Sequence, residues 1–246
     1  MIGIQLYTVR KLITDEASAD AVIASLREIG YGAAQLAGSL ETVALTAGAC
    51  IRQGMQVLGI LVNIDLCESE QARLFEIARA CGATDLGISS SAASEEDVKG
   101  LVPRVNAFAR TAQAEGFTFS YHNHSNEFIR TAGGKTVMEL LLEGFDAQAV
   151  RLMPDTYWLQ HGGVDVRDFL ARNGARVGLL HLKDMKRAAD GPTFAEIGVG
   201  NLNFPGILET AAQIGVEHVI VEQDKCDGDP LDAARTSYEY LKNLWK

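Results

Sequence analysis

No stretch of this chain approaches 18 uninterrupted apolar residues, so a membrane-spanning helix is not expected. The opening MIGIQLYTVRK has neither the basic start nor the long apolar run of a secretory signal. Cysteine is scarce. Cys50, Cys67, Cys81 and Cys226 form no C-x-x-C pair, which excludes a zinc knuckle and a disulfide framework. Four reduced thiols fit a cytoplasmic protein. No Pro/Ser-rich linker divides the chain, and residues 1–246 read as one domain. Basic residues are outnumbered: 22 Lys and Arg against 32 Asp and Glu leave a net charge of −10. That charge repels phosphate backbones and anionic lipid, so neither nucleic acid nor membrane is an expected partner. No G-x-G-x-x-G follows the first strand and no G-x-x-x-x-G-K-[ST] occurs anywhere, which weighs against dinucleotide and nucleoside triphosphate binding.

What is present is alternation. Short apolar runs at Ile2–Leu6, Gly32–Leu36, Met55–Val62, Thr84–Ile88, Phe117–Tyr121, Val150–Met153, Val177–Leu182 and His218–Val221 read as strands. Amphipathic stretches lie between them, as at Ala19–Ile29, Glu68–Cys81 and Ser94–Glu115. Gly30, Gly82, Gly116 and Gly215 stand where helices stop before strands begin. Eight units of about 31 residues each match a single (β/α)8 TIM barrel. The strands are apolar on both faces, as a sheet wrapped by helices requires. An open doubly wound sheet is the alternative. Gly191–Gly200 reads as a long loop after the seventh strand.

The chemistry-bearing residues fall at predicted strand ends. FSYHNHSNEF carries His122, His124 and Glu127, RLMPDTYW carries Asp155, LLHLKD carries His181 and Lys183, and VIVEQD carries Glu222 and Asp224. In a barrel these ends converge on one face, where active sites sit. Alternation points His181 and Lys183 together and opposes them to Leu182, while Glu222 shares a face with Ile220. Singly, His122 or His124 is also what a hydrogen-bonded core histidine looks like, and Asp155 after Pro154 is what a turn cap looks like. Their coincidence on four neighbouring strands is what points to a site. Nitrogen and oxygen donors without sulfur suit one divalent ion, Mn²⁺ first, with Zn²⁺, Co²⁺ or Mg²⁺ as alternatives. His161 and His218 have weaker claims, one in a loop and the other beginning a strand.

Taken in order, IGIQLYTVR, YHNHSNEF, PDTYW with HGGVD behind it, HLKD, IGVGNLNF and VEQD resemble the sugar phosphate isomerase/epimerase superfamily. These are xylose isomerase-like TIM barrels that also include family 2 AP endonucleases. The resemblance covers nearly the whole chain. It implies a divalent metal held from four neighbouring strands, with Asp155, His181 and Glu222 as matching ligands. Ketose epimerases of this type carry glutamate at the end of the fifth strand, where this chain has His122. Glu127, five residues on, is a second candidate for that place. At Gln35 many relatives have glutamate; an amide binds a hydroxyl but carries no proton at neutral pH.

The expected activity is a metal-dependent sugar isomerase or epimerase, removing a proton beside a metal-bound carbonyl. Glu222 or His122 would take the proton, Lys183 would polarise an oxygen or bind a carboxylate, and Glu127 is a further catalytic candidate. Gln35, His124, Tyr157, Trp158 and Phe194 are the expected contacts to a small sugar substrate. Expelling a β-substituent would make the same site a 3-keto-glycoside lyase or dehydratase. A non-catalytic sugar-binding barrel is a third reading, and phosphodiester cleavage is disfavoured by five histidines and the acidic charge. By resemblance such barrels are often homo-oligomers.

Overall fold

The computed structural model describes residues 1–245. Its ten strands are β1 (Ile2–Gln5), β2 (Ala33–Ala37), β3 (Gln56–Val62), β4 (Asp85–Ile88), β5 (Thr118–His122), β6 (Arg151–Met153), β7 (Leu180–Leu182), β8 (Asp184–Ala188), β9 (Gly191–Ala195) and β10 (Val219–Val221). Eight of them form one parallel sheet in the order β6-β5-β4-β3-β2-β1-β10-β7. Helices join consecutive strands and wrap the outside, so the fold is a TIM barrel.

The last seam, between β6 and β7, has no ladder. It is closed by two isolated bridges, Leu152 with Val177 and Asp155 with His181. The Gly178 N–H donates to the Leu152 carbonyl at 2.9 Å, and the His181 N–H donates to the Pro154 carbonyl at 2.9 Å. Pro154 has no N–H to give back, so pairing cannot run on through it.

Side chains alternate as the two-residue period demands. Val219, Val221, Leu180 and Leu182 point outward and join the large core between strands and helices. Ala33, Leu58 and Ile220 fill the barrel interior, and Leu61, Met153 and Leu179 form a further interior cluster. Above these layers the inward-facing residues turn polar, and the site begins there.

The structure corrects two sequence expectations. Gly191–Gly200 is not a plain loop: β8 and β9 pair antiparallel from Asp184 with Ala195 to Ala188 with Gly191. MKRAADGPTFA has too few β-branched or alternating apolar residues to read as strands. The two-residue loop between the two strands is Ala189-Asp190, and Gly191, which pairs with Ala188, takes a positive φ (140°). Glu68–Cys81 is also not one helix. Ile64–Ser69, capped by the Asn63 side chain, ends at Glu70, and Gln71–Cys81 starts afresh.

Candidate functional site

Four strands deliver the cluster. His122 ends β5, Asp155 follows β6 after Pro154, His181 is central in β7, and Glu222 follows β10. Closure of the barrel makes these four strands neighbours. One donor atom from each residue falls within a group spanning no more than 4.8 Å, and all four residues are buried. His122 Nε2 lies 3.3 Å from Asp155 Oδ2 and 3.8 Å from Glu222 Oε2. His181 Nδ1 lies 2.9 Å from Glu222 Oε2. Asp155 divides its carboxylate. Oδ1 accepts the Trp158 N–H at 3.1 Å and caps the helix Thr156–His161, which leaves Oδ2 for the cluster.

Lys183 completes the charge pattern. Its side chain is 1% exposed, and its Nζ lies 2.9 Å from Asp155 Oδ2, 3.0 Å from Glu222 Oε2 and 2.9 Å from Asp224 Oδ1. Burial opposes its charged form, but the three carboxylates outweigh that and hold the ammonium above the usual lysine range. The same logic runs in reverse at Glu222. Burial would raise its pKa, yet the Lys183 ammonium holds it well below the ordinary carboxylate value. Asp155 is lowered likewise, burial being outweighed by Lys183 and His122. Burial brings His122 down to about 4, against the pull of Asp155, so its imidazole is neutral at pH 7. Three carboxylates, one ammonium and neutral imidazole leave an excess of negative charge. That donor set, all nitrogen and oxygen, fits one divalent ion.

A cavity of about 530 Å³ opens above this floor, a size suited to a small molecule. His122, Lys183 and Glu222 line it together with His124 and Asp224. The other expected residues are placed differently. Gln35 is fully buried behind His181, its Oε1 2.7 Å from His181 Nε2, and is not in the cavity wall. Glu127, also fully buried, stands outside the donor cluster. It accepts the Tyr121 hydroxyl at 2.8 Å and the His124 N–H at 3.0 Å, and so fastens the loop that carries His124. Tyr157, Trp158 and Phe194 pack on one another rather than lining the cavity, with Tyr157 and Phe194 stacked at 4.4 Å. The Trp158 ring faces Lys183 Nζ at 5.3 Å and helps hold it.

Tyr7, Asn63 and Ser89 also line the cavity, beyond β1, β3 and β4, and of these sequence reasoning missed Asn63 and Ser89. Each follows its strand by one or two residues, and that position is the signal that would have found them. It also passed over Asp184. This buried carboxylate accepts four backbone N–H groups, from Met185, Gly198, Gly200 and Leu202, at 2.7 to 3.2 Å. A Cβ on Gly200 would overlap the carboxylate, so glycine is required there.

A barrel with buried imidazoles and carboxylates at the C-terminal ends of its strands defines a broad class. Within that class, residues 23–244 match the family of xylose isomerase-like TIM barrels, and the chain belongs to it. Among curated relatives, an inosose dehydratase of Mesomycoplasma hyopneumoniae (strain 7448) is 26% identical over 170 residues, 61% of this chain and 56% of that protein. This chain thus spans little more than half the length of the curated relatives it matches. Among solved structures, a sugar phosphate isomerase/epimerase from Parabacteroides distasonis superposes with a TM-score of 0.77 at 22% identity, covering 98% of this chain and 93% of that one. The IOLI protein with a bound zinc atom superposes with a TM-score of 0.71 at 13% identity, covering 99% and 97%. At these identities the structural likenesses show the fold.

Proposed function

We propose that this chain is a divalent-metal-dependent enzyme acting on a sugar or keto-sugar. It takes a proton from the carbon beside a carbonyl, and isomerisation or epimerisation is the outcome. The observation that carries this reading is the set of four buried donors on four neighbouring strands, of which His122 and Glu222 line the cavity. His122, Asp155, His181 and Glu222 are the ligands in this reading, with Mn²⁺ expected before Zn²⁺, Co²⁺ or Mg²⁺. A divalent ion held there supplies Lewis acidity, drawing charge from a carbonyl and acidifying the adjacent C–H.

The chain's own groups supply the rest. Glu222, held ionised, is the first proton carrier, and neutral His122 is the second. Lys183 presents a fixed ammonium toward substrate oxygen. His124, on the cavity wall, meets substrate hydroxyls. Lys183 is the one lysine or arginine among the described residues lining the cavity, and three carboxylates already face it. That charge balance favours an uncharged sugar over a phosphorylated one. The four free cysteines are in keeping with a cytoplasmic location.

A second reading keeps the site and changes the outcome to loss of a hydroxyl β to the carbonyl. Inosose dehydratases among the relatives favour it, as does imidazole at His122 where ketose epimerases of this type carry glutamate. The test is elemental analysis of protein purified without chelator, followed by incubation with neutral ketoses and keto-cyclitols in D₂O. We expect close to one divalent ion per chain and deuterium at the carbon beside the carbonyl. Glu222→Gln should lower turnover at least about 10²-fold. Less than about a tenth of an equivalent of any divalent metal would contradict site occupancy through these ligands. Turnover without any exchange of deuterium would contradict proton abstraction.

A further inference from the structure

Behind the donors lies a row of buried amides with no part in the roles above. Gln5 and Gln35 are both fully buried. Gln5 ends β1, and its Oε1 accepts the backbone N–H of Tyr7 at 3.3 Å. Its Nε2 donates to Gln35 Oε1 at 2.6 Å. The same Gln35 oxygen lies 2.7 Å from Nε2 of His181, whose Nδ1 is 2.9 Å from Glu222 Oε2.

Side-chain amides can be turned over, and a neutral imidazole has two tautomers. A backbone N–H has no such freedom; it only donates. The Tyr7 N–H therefore sets Gln5 with its oxygen toward Tyr7 and its NH₂ toward Gln35. Gln35 must then present oxygen, because two amide NH₂ groups facing each other in a buried site would both go unsatisfied. Its own Nε2 points the other way, 3.4 Å from the Met153 sulfur. With oxygen on that side, a neutral His181 carries its proton on Nε2. The lone pair is left on Nδ1, 2.9 Å from Glu222 Oε2, and two acceptors that close are satisfied by a cation shared between them.

We infer that Gln35, held by Gln5, is a positioning residue that sets the tautomer of His181, so that Nδ1 is the atom offered to a divalent cation. This rests on the reading of the cluster as a metal centre. Ligating histidines generally give their other N–H to a carboxylate or carbonyl. Here an amide oxygen does so without adding a fourth negative charge beside Asp155, Glu222 and Asp224. That accounts for glutamine at a position where a carboxylate would also have served as acceptor.

The test uses the full chain loaded with Zn²⁺, which is diamagnetic, and labelled with ¹⁵N at its five histidines. Two-bond ¹H–¹⁵N correlation distinguishes the ring nitrogens and shows which holds the proton. The expected spectrum has His181 protonated at Nε2 with Nδ1 shifted by zinc. Gln35→Met, which removes the acceptor, should weaken Zn²⁺ binding by about 10-fold or more. Gln35→Glu, which keeps one, should hold affinity within about threefold of wild type or tighten it, with the same tautomer. A proton on Nδ1 of His181 in the zinc-bound protein overturns the inference, and so does wild-type zinc affinity in a folded Gln35→Met. The wild-type spectrum needs no variant, so it decides the matter even where Gln35→Met fails to fold. Wild-type protein that binds no Zn²⁺ overturns the metal reading and this inference together; bound Zn²⁺ with the other tautomer overturns only this inference.

Discussion

His122 and Glu127 compete on paper for one place, and their surroundings separate them. His122 Nε2 faces Asp155 and Glu222, whereas both oxygens of Glu127 are taken up by the Tyr121 hydroxyl and the His124 N–H. His122→Ala should therefore weaken Zn²⁺ binding about 10-fold or more. Glu127→Gln should leave zinc affinity near wild type and cost about 1–3 kcal/mol of stability, through a buried acceptor replaced by a donor. Zinc titrations and melting curves of the two variants check this; zinc loss in Glu127→Gln with none in His122→Ala would reverse the assignment. An ordinary imidazole would begin to lose a metal to protons below about pH 6. Burial brings His122 down to about 4, so the affinity ratio of wild type to His122→Ala should stay constant between pH 7 and pH 5. At the opposite end of the barrel, burial pushes Asp85 up to about 6, against the hydrogen bonds from Thr118 and Ser120, and its Oδ2 has no hydrogen-bond partner among the described residues. A carboxyl raised in the folded state binds its proton more tightly there than in the unfolded chain. Its contribution to stability is complete below about pH 4 and is lost as pH rises through 6. Asp85→Asn should thus gain about 3 kcal/mol on the parent at pH 7.5 relative to pH 4. Melting temperatures at the two pH values measure it, and an equal difference at both would refute the ionised, buried state.

The barrel strands were legible because each is a short apolar run ended by a polar or glycine signal, and because glycine stops such as Gly82 and Gly215 do take positive φ. The β8–β9 hairpin was not legible, since its residues carry little apolar alternation and its order comes from elsewhere. Asp184 gathers the N–H groups of Met185, Gly198, Gly200 and Leu202, tying the start of β8 to the segment after β9. Asp184→Ala should raise hydrogen exchange at Gly198, Gly200 and Leu202 while leaving β1 to β4 protected. Unchanged exchange at those three amides would mean that the hairpin holds the segment without Asp184. The site divides in the same way. Alternation along β7 and β10 put His181 and Glu222 on the inner face, which a sequence can reveal. It cannot reveal that Gln35 reaches His181 across 146 residues of chain, because a glutamine at a strand end looks the same whether it faces substrate or a neighbouring ring. The packing of the aromatic trio was hidden for a related reason: Tyr157, Trp158 and Phe194 follow strand ends, but it is the hairpin that folds Phe194 onto Tyr157 and brings the ring of Trp158 and that of Phe194 to Lys183.

Across the whole molecule the ring of strands is uneven. Seven seams are ladders, and the eighth, between β6 and β7, rests on two single bridges. Asp155 and His181 stand on either side of that eighth seam, so an ion shared between them would tie together what the backbone leaves loose. Removing divalent metal with a chelator should lower the melting temperature by several degrees, since an ion bound only by the folded state stabilises it by mass action. Amide exchange should quicken first along residues 151–155 and 177–182. A uniform rise over all eight seams would argue against the local tie. The order of strands carries a further consequence for a chain made from its N-terminus. β1, the first strand of the ring, pairs on one side with β2 and on the other with β10, which lies more than 200 residues later. Until residues 219–221 have emerged, β1 has one bare edge, and Glu222, the last donor, does not yet exist. Completion of the ring and completion of the donor set are thus one event in the life of the nascent chain, and an ion taken up there would mark a barrel whose synthesis has passed β10.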